Sequence, residues 1–220
     1  MARGSQGLLP FVTRSTWGGC RPGAGRKPAA RRRQVSHATR PIHNPRHPVH
    51  VTLRARVGLP SLRSESVFIA LCAAIRRAHR PDFRVIQFSA QSDHVHLVVE
   101  ASSRESLISG VQGLAGRLAL SINRATRRRG RVWQGRYHAR PLTTPREVRN
   151  ALVYVLLNFR KHLRAAPLVD PRSSGPWFQG WAHASRPSAE GCPVAPPKTW
   201  LAGIGWRRAG GPIDIHEAPA

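Results

Sequence analysis

Apolar and polar residues alternate from Val49 to Val57. Val49, Val51, Leu53, Ala55 and Val57 are separated by His50, Thr52, Arg54 and Arg56. A period of two is that of a half-buried strand. The period then lengthens: Phe68, Leu71, Cys72 and Ile75 recur at helical spacing and predict a helix over roughly 61–79. Two apolar runs, Phe83 to Phe88 and Val95 to Glu100, are joined by Ser89-Ala90-Gln91-Ser92 and read as a hairpin. A second helix is expected to open at the capping box Ser102-x-x-Glu105. Its stripe is Ile108, Val111, Ala115, Leu118 and Ile122, and it ends at Arg127-Arg128-Arg129-Gly130. A fourth strand is expected over roughly 132–140. A third helix starts at Thr144-Pro145-Arg146-Glu147, another capping box with proline at the first helical position.

The order β-α-β-β-α-β-α matches, in its first six elements, the ferredoxin-like split βαβ arrangement. The expected class is therefore α+β: a ferredoxin-like βαββαβ unit with an antiparallel sheet, plus an additional C-terminal helix. Helices should lie on one face of the sheet and leave the other free for a ligand. The folded domain spans 46–165. Residues 1–45 are rich in glycine, proline and arginine and contain no acid, which reads as a disordered basic arm. Residues 166–220 are rich in proline, glycine and tryptophan without a period. They read as an irregular, largely mobile tail, in which Trp177 and Trp181 are candidates to dock on the core.

Charge narrows the partner. Lysine and arginine total 36 against 10 aspartates and glutamates, a formal net charge of +26. Such an excess favours a polyanion, DNA or RNA before a membrane surface. No stretch approaches the roughly 18 apolar residues of a membrane span. The apolar patch from Leu8 to Val12 is broken by Pro10 and makes a poor secretory signal. Cys20, Cys72 and Cys192 have no CxxC-type spacing, which supports neither a zinc knuckle nor a disulfide framework. A cytoplasmic protein beside nucleic acid is the natural expectation. The shortage of carboxylates argues against two-metal phosphoryl transfer, which collects several acids around its ions.

The chemistry concentrates at Asp93-His94-Val95-His96-Leu97-Val98-Val99-Glu100. On a strand His94 and His96 project together, while Val95, Leu97 and Val99 face the other way. Two imidazoles side by side make half a metal site; two polar histidines on an open sheet face are the plainer alternative. Val98 stands where a histidine-triad hydrolase needs its third histidine, and no Asp-His follows the pair as in metallo-β-lactamases.

The third helix adds to this. Val148, Ala151, Leu152, Val155 and Phe159 form its core stripe, and Asn150, Tyr154, Asn158 and His162 form another at spacing four. If that second stripe packs beside the histidines, Asn158 can supply a third metal ligand and Tyr154 can reach a phosphate. A packed aromatic with a satisfied hydroxyl is the alternative for Tyr154. Tyr137, the other tyrosine of only two in the chain, has no partner at helical spacing and reads as a packing or base-stacking residue.

These segments resemble a known family. Ser92-Asp93-His94-Val95-His96-Leu97-Val98-Val99-Glu100 resembles the histidine-hydrophobic-histidine (HUH) motif of single-tyrosine transposases. Val132-Trp133-Gln134-Gly135-Arg136-Tyr137-His138 resembles their Trp-Gln-Arg-x-Tyr segment. Leu152 to His162 is similar to their catalytic helix. The subgroup most like it is the REP-associated tyrosine transposases, which act on hairpin-forming repeats, and the likeness covers roughly 47–165. The resemblance implies that His94, His96 and Asn158 bind one divalent metal, Mg2+ or Mn2+, and that Tyr154 is the nucleophile. It implies cleavage of single-stranded DNA beside a hairpin, a 5′-phosphotyrosine link and a free 3′-hydroxyl. A monomer is the expectation, with a homodimer the alternative.

Two positions depart from the family pattern. Phe159 stands where many relatives have proline, so the helix should run on to about His162. Asp93 stands where relatives often have asparagine or glutamate, and supports its neighbour if it has a role. Substrate affinity is assigned to Arg26, Lys27, Arg31, Arg32 and Arg33 of the arm, to Arg124, Arg127, Arg128, Arg129 and Arg131, and to Arg136 and Arg140 on the fourth strand. Trp133 is a candidate for base stacking, with burial the equal alternative. A catalytically silent DNA- or RNA-binding regulator on the same fold is the rival reading, and an RNA-directed phosphodiesterase a third.

Overall fold

The computed structural model describes residues 42–161, 167–183 and 191–218. The basic arm up to residue 41, with Arg26, Lys27, Arg31, Arg32 and Arg33, lies outside the described residues, as does His162. The elements run β1 (Val49–Arg54), α1 (Glu65–Arg76), β2 (Phe83–Ala90), β3 (His94–Ala101), α2 (Arg104–Ala125), β4 (His138–Pro141) and α3 (Pro145–Leu157). Among the described residues a short α4 (Trp200–Gly203) and three 3-10 turns follow α3. The sheet order is β2-β3-β1-β4, and every neighbouring pair is antiparallel. β1 and β2 thus run the same way with β3 between them, which is the split βαβ topology of the expected α+β class. Among the described residues no helix is long and apolar enough to cross a membrane.

The period-two pattern sorts the side chains as expected. Val49, Val51 and Leu53 of β1 and Val95, Leu97 and Val99 of β3 meet α1 and α2 in one core. The opposite face is not free. Val98 and Ile86 pack there against Val148, Leu152, Val155 and Leu156 of α3 and against Phe178, Trp206 and Ile213 of the tail. A register shift between Val85 and Gln87 makes this possible. The extra residue of a bulge flips the parity of the strand. Phe83 and Val85 therefore serve the first core, Ile86 the second, and Phe88 the first again.

Several boundaries differ from the sequence expectation. β1 ends before Val57, which is 97% exposed, because the chain turns at Gly58 with φ 85°. The α1 helix starts only at Glu65, after an extended Ser64. The cap of α2 is Ser103 rather than Ser102: Ser103 Oγ accepts from Ser106 N–H, and Ser106 Oγ accepts from Ser103 N–H. Ser102 lies just past the β2–β3 ladder, and its N–H donates to the Asp82 carbonyl. The fourth strand is broken. Trp133 pairs with Ala55 and His138 with Thr52, so two residues of the later segment loop out between them. Arg136 therefore sits on that loop and not on a strand.

The described tail lacks long elements but is packed. Ser174 N–H donates to Phe88 and Ala90 N–H to Arg172, extending the edge at β2. Arg63 makes a two-pronged contact to the fully buried Asp170, and Glu100 accepts from Lys198 N–H, Thr199 N–H and Thr199 Oγ–H. Trp206, 2% exposed, seals α3 from outside. The expectation of a mobile remainder does not hold for these residues, because the second core needs them to cover α3.

At Gly110 of α2 an added Cβ would collide with the Phe83 ring. Gly110→Ala gains up to about 1 kcal/mol in helix propensity. Overpacking against the ring costs roughly 1–3 kcal/mol and dominates. Thermal denaturation should show a lower melting temperature for G110A, with recovery in G110A/F83L.

Candidate active site on the second sheet face

Register places the polar residues of three strands in one patch. Thr52 stands opposite His96 on one side and His138 on the other; His50 stands between Val98 and Arg140; Arg54 stands opposite His94. All share the face that α3 covers. The His94 and His96 rings lie 4.6 Å apart at 86°. Their shared direction, expected from their spacing, is present.

Each ring is held through Nδ1. His94 Nδ1–H donates to Asp93 Oδ1 at 2.6 Å, and Asp93 Oδ2 accepts from Arg54 at 2.7 Å. Burial raises the Asp93 carboxyl, but the His94 bond and the His94 and Arg54 charges outweigh it and leave its pKa below the ordinary range. His96 Nδ1 lies 3.2 Å from both Thr52 Oγ1 and His50 Nε2. His96 Nε2 is buried and has no hydrogen-bond partner among the described residues. Burial, then the charges of His94 and His50, push His96 down to about 3. Burial, then the charges of His138 and Arg140, push His50 down to about 4. Both rings are neutral at neutral pH, the form in which imidazole ligates a metal.

Packing of α3 on the sheet carries Tyr154 to this patch. Its ring is 4.9 Å from that of His96 at 80° and 5.9 Å from that of His50 at 66°. A cleft of about 350 Å³ opens beside it, lined by His50, Arg140, Glu147, Asn150, Tyr154 and Glu217. Asn150 thus shares the cleft with Tyr154, as the spacing of four requires. Asn158 lies one turn further on and is 4% exposed. The helix does not run on to His162: α3 stops at Leu157 and a 3-10 turn takes over at Asn158–Lys161. The tighter winding lets Phe159, 1% exposed, enter the second core. Ring contacts join His94 to His96 and His96 to Tyr154, and among the described residues the Asn158 side chain makes no hydrogen bond.

Tyr137 is 8% exposed within the first core, which fits packing and not nucleophilic attack. Trp133 donates its Nε1–H to Ala115 and packs against the same core, the burial reading of the two. Arg124, Arg127, Arg128 and Arg129 line a depression at the end of α2, where Arg127 takes φ 51°. Arg131 and Arg136 are exposed nearby in the chain. This basic end belongs to the helical layer opposite Tyr154. Arg140 is on the cleft side and donates to Glu147 at 2.8 Å. Sequence reasoning missed His50, Thr52 and His138. Period two puts them on the polar face of their strands, but only the register makes them neighbours of His96.

Residues 50–155 match the family model described as "Transposase IS200 like", a span that contains His94, His96 and Tyr154. Among solved structures, a REP-associated tyrosine transposase bound to a REP hairpin is similar in fold. Its TM-score is 0.53 at 17% identity, over 64% of this chain and 82% of that one. No curated protein matches the chain.

The depth of Tyr154 depends on the start of α3. Thr144 caps it by accepting from Glu147 N–H at 3.2 Å. Glu147 completes only half of a capping box, because its carboxylate accepts from Thr143 N–H and Oγ–H, both at 2.7 Å, rather than from the cap residue itself. These bonds, with the Arg140 charge, hold its pKa at about 2. A carboxylate depressed on folding stabilises above its unfolded pKa and loses that contribution as pH falls through the folded value. Discounted for solvent screening, Glu147→Ala should cost about 0.5–1 kcal/mol at pH 7. The gap between the melting curves of variant and parent should close as pH drops from about 4.5 to about 2.

Proposed function

The chain carries an IS200-like transposase domain across residues 50–155, and from that premise and the site geometry we propose that it cuts and rejoins single-stranded DNA through Tyr154 beside one divalent metal, Mg2+ or Mn2+. The observation that carries this reading is the Tyr154 ring 4.9 Å from His96, whose Nε2 is buried and unpartnered among the described residues. No neighbouring side chain there competes with a ligand. Asp93 occupies Nδ1 of His94, leaving its Nε2 lone pair for the same purpose. His94 and His96 therefore fit as two ligands of a divalent ion; Asn158, one turn beyond Tyr154 on the chain, is assigned as the third only by the family resemblance. When bound, such an ion polarises the scissile phosphate and stabilises charge on its oxygens.

The chain's own groups do the rest. Tyr154 Oη attacks the phosphorus and gives up its proton; the bond to the 3′-oxygen breaks, leaving a 5′-phosphotyrosine and a 3′-hydroxyl. A free phenol has a pKa of about 10 and is a weak nucleophile at neutral pH, so positioning beside the phosphate matters more than ionisation alone. The covalent link conserves the phosphodiester bond energy, and the same hydroxyl or another can reverse the step without ATP. His94, His96 and Tyr154 come from one chain, which supports a site that needs no second copy.

The similar transposase is bound to a hairpin, and we assign this chain a single strand adjoining a DNA hairpin as substrate. Arg140 lies on the cleft side. Arg124, Arg127, Arg128, Arg129 and Arg131, with Arg136, supply phosphate contacts away from the cleft. Affinity and cutting then reside on separable surfaces.

With Mn2+ and a labelled hairpin oligonucleotide, the full chain should give a denaturant-resistant protein–DNA band. Tyr154→Phe should lose the band and keep binding, and Tyr137→Phe should keep both. An undiminished adduct from Y154F overturns the assignment. No band from the parent chain across many hairpins leaves a silent binder in its place. Replacing Arg127, Arg128 and Arg129 with glutamine should flatten the log affinity–log salt slope. The change should be about 0.7 for each single-strand phosphate no longer neutralised, while saturating protein still forms the adduct.

A further inference from the structure

We infer that His50 and Thr52 are positioning residues that fix His96 in the tautomer with a bare Nε2. The inference rests on the metal reading of the His94–His96 pair and goes beyond it to residues on a different strand.

A neutral imidazole has one proton and two nitrogens. At His96 the two sides differ sharply. Nδ1 has Thr52 Oγ1 and His50 Nε2, each at 3.2 Å. Nε2 is enclosed, with no hydrogen-bond partner among the described residues. A proton on Nε2 would be a buried donor without an acceptor, whereas one on Nδ1 has two acceptors within reach. The proton therefore resides on Nδ1 and the lone pair on Nε2. His50 must then accept at its own Nε2 and carry its proton on Nδ1.

The register explains why these two residues serve. Thr52 stands directly opposite His96 across the β1–β3 pair, and His50 is its diagonal neighbour on the same face. Neither contributes to the core of β1, which is built by Val49, Val51 and Leu53. His50 also meets the Tyr154 ring at 5.9 Å, so one side chain touches both the proposed ligand and the proposed nucleophile. The support differs in kind from that of His94, which leans on the Asp93 carboxylate. A carboxylate at position 50 would put negative charge beside the phosphate path. A neutral ring and a hydroxyl orient His96 without it.

The test uses the full chain and two readouts. Ring 15N NMR without metal reports the His96 tautomer, and EPR of free Mn2+ reports affinity. In His50→Phe/Thr52→Val, phenylalanine keeps a ring against Tyr154 and valine keeps the branched shape, but both acceptors are gone. This double variant should lose the single His96 tautomer and bind Mn2+ about 10–100-fold more weakly. Each single variant should lose less, since one acceptor remains, and His50→Gln/Thr52→Ser should recover most of both signals. An unchanged tautomer and affinity in the double variant overturn the inference, whatever the melting temperature does. If the parent chain binds no Mn2+, the metal reading falls, while the tautomer measurement still decides whether the cradle exists.

Discussion

Burial of β3 on both faces is the constraint on which the site depends. β3 is hydrogen-bonded on each side, by β2 and by β1. Seven of its eight residues are buried, and His94 alone is not. One face of the strand must be covered by α1 and α2. The other must be covered as well, because Val98 is apolar and central. The α3 helix supplies that cover, and Tyr154 rides on it. The same apolar packing that hides Val98 thus sets the distance between the Tyr154 and His96 rings. Tyr154 reaches the histidines as a consequence of core formation, without a dedicated loop to carry it.

The few acids serve structure. Asp93 orients His94 and holds Arg54; Glu100 fastens the tail at Lys198 and Thr199; Glu147 ties α3 to β4; Asp170 is sealed against Arg63; Glu217 pairs with Arg149. Each of these five is engaged by a specific hydrogen bond or ion pair. The excess of +26 favours association with a polyanion and does not decide the fold. In the cleft by Tyr154 two of these acids, Glu147 and Glu217, line a cavity together with Arg140.

Much of the fold was legible because period alone decides it. The alternation of β1, the hairpin and the capped start of α3 follow from which side chains must leave water and agree with the structure to within a few residues; in α2 the buried stripe is Leu107, Val111, Leu114, Leu118 and Ile122, with Ile108 and Ala115 only half-buried. The misreadings share a cause. The cap of α2, the break before β4 and the early end of α3 were each decided by a competing partner elsewhere: Asp82 for Ser102, Ala55 for Trp133, the second core for Phe159. The tail read as irregular because it has no period. Its described residues nevertheless pack, since their tryptophan and phenylalanine contacts are long-range and leave no local pattern.

The site divides the same way. By itself the sequence determined that His94 and His96 share one face of a strand, that Tyr154 and Asn150 share one face of a helix, and that the charge favours a polyanion, since period and charge are local properties. Only the tertiary structure decided that the two faces meet within one chain, that Tyr137 is enclosed in the core, and that His50 and Thr52 stand against the ring of His96. Strand register and helix docking are set by the fit of two cores against one sheet, and no local spacing encodes that fit.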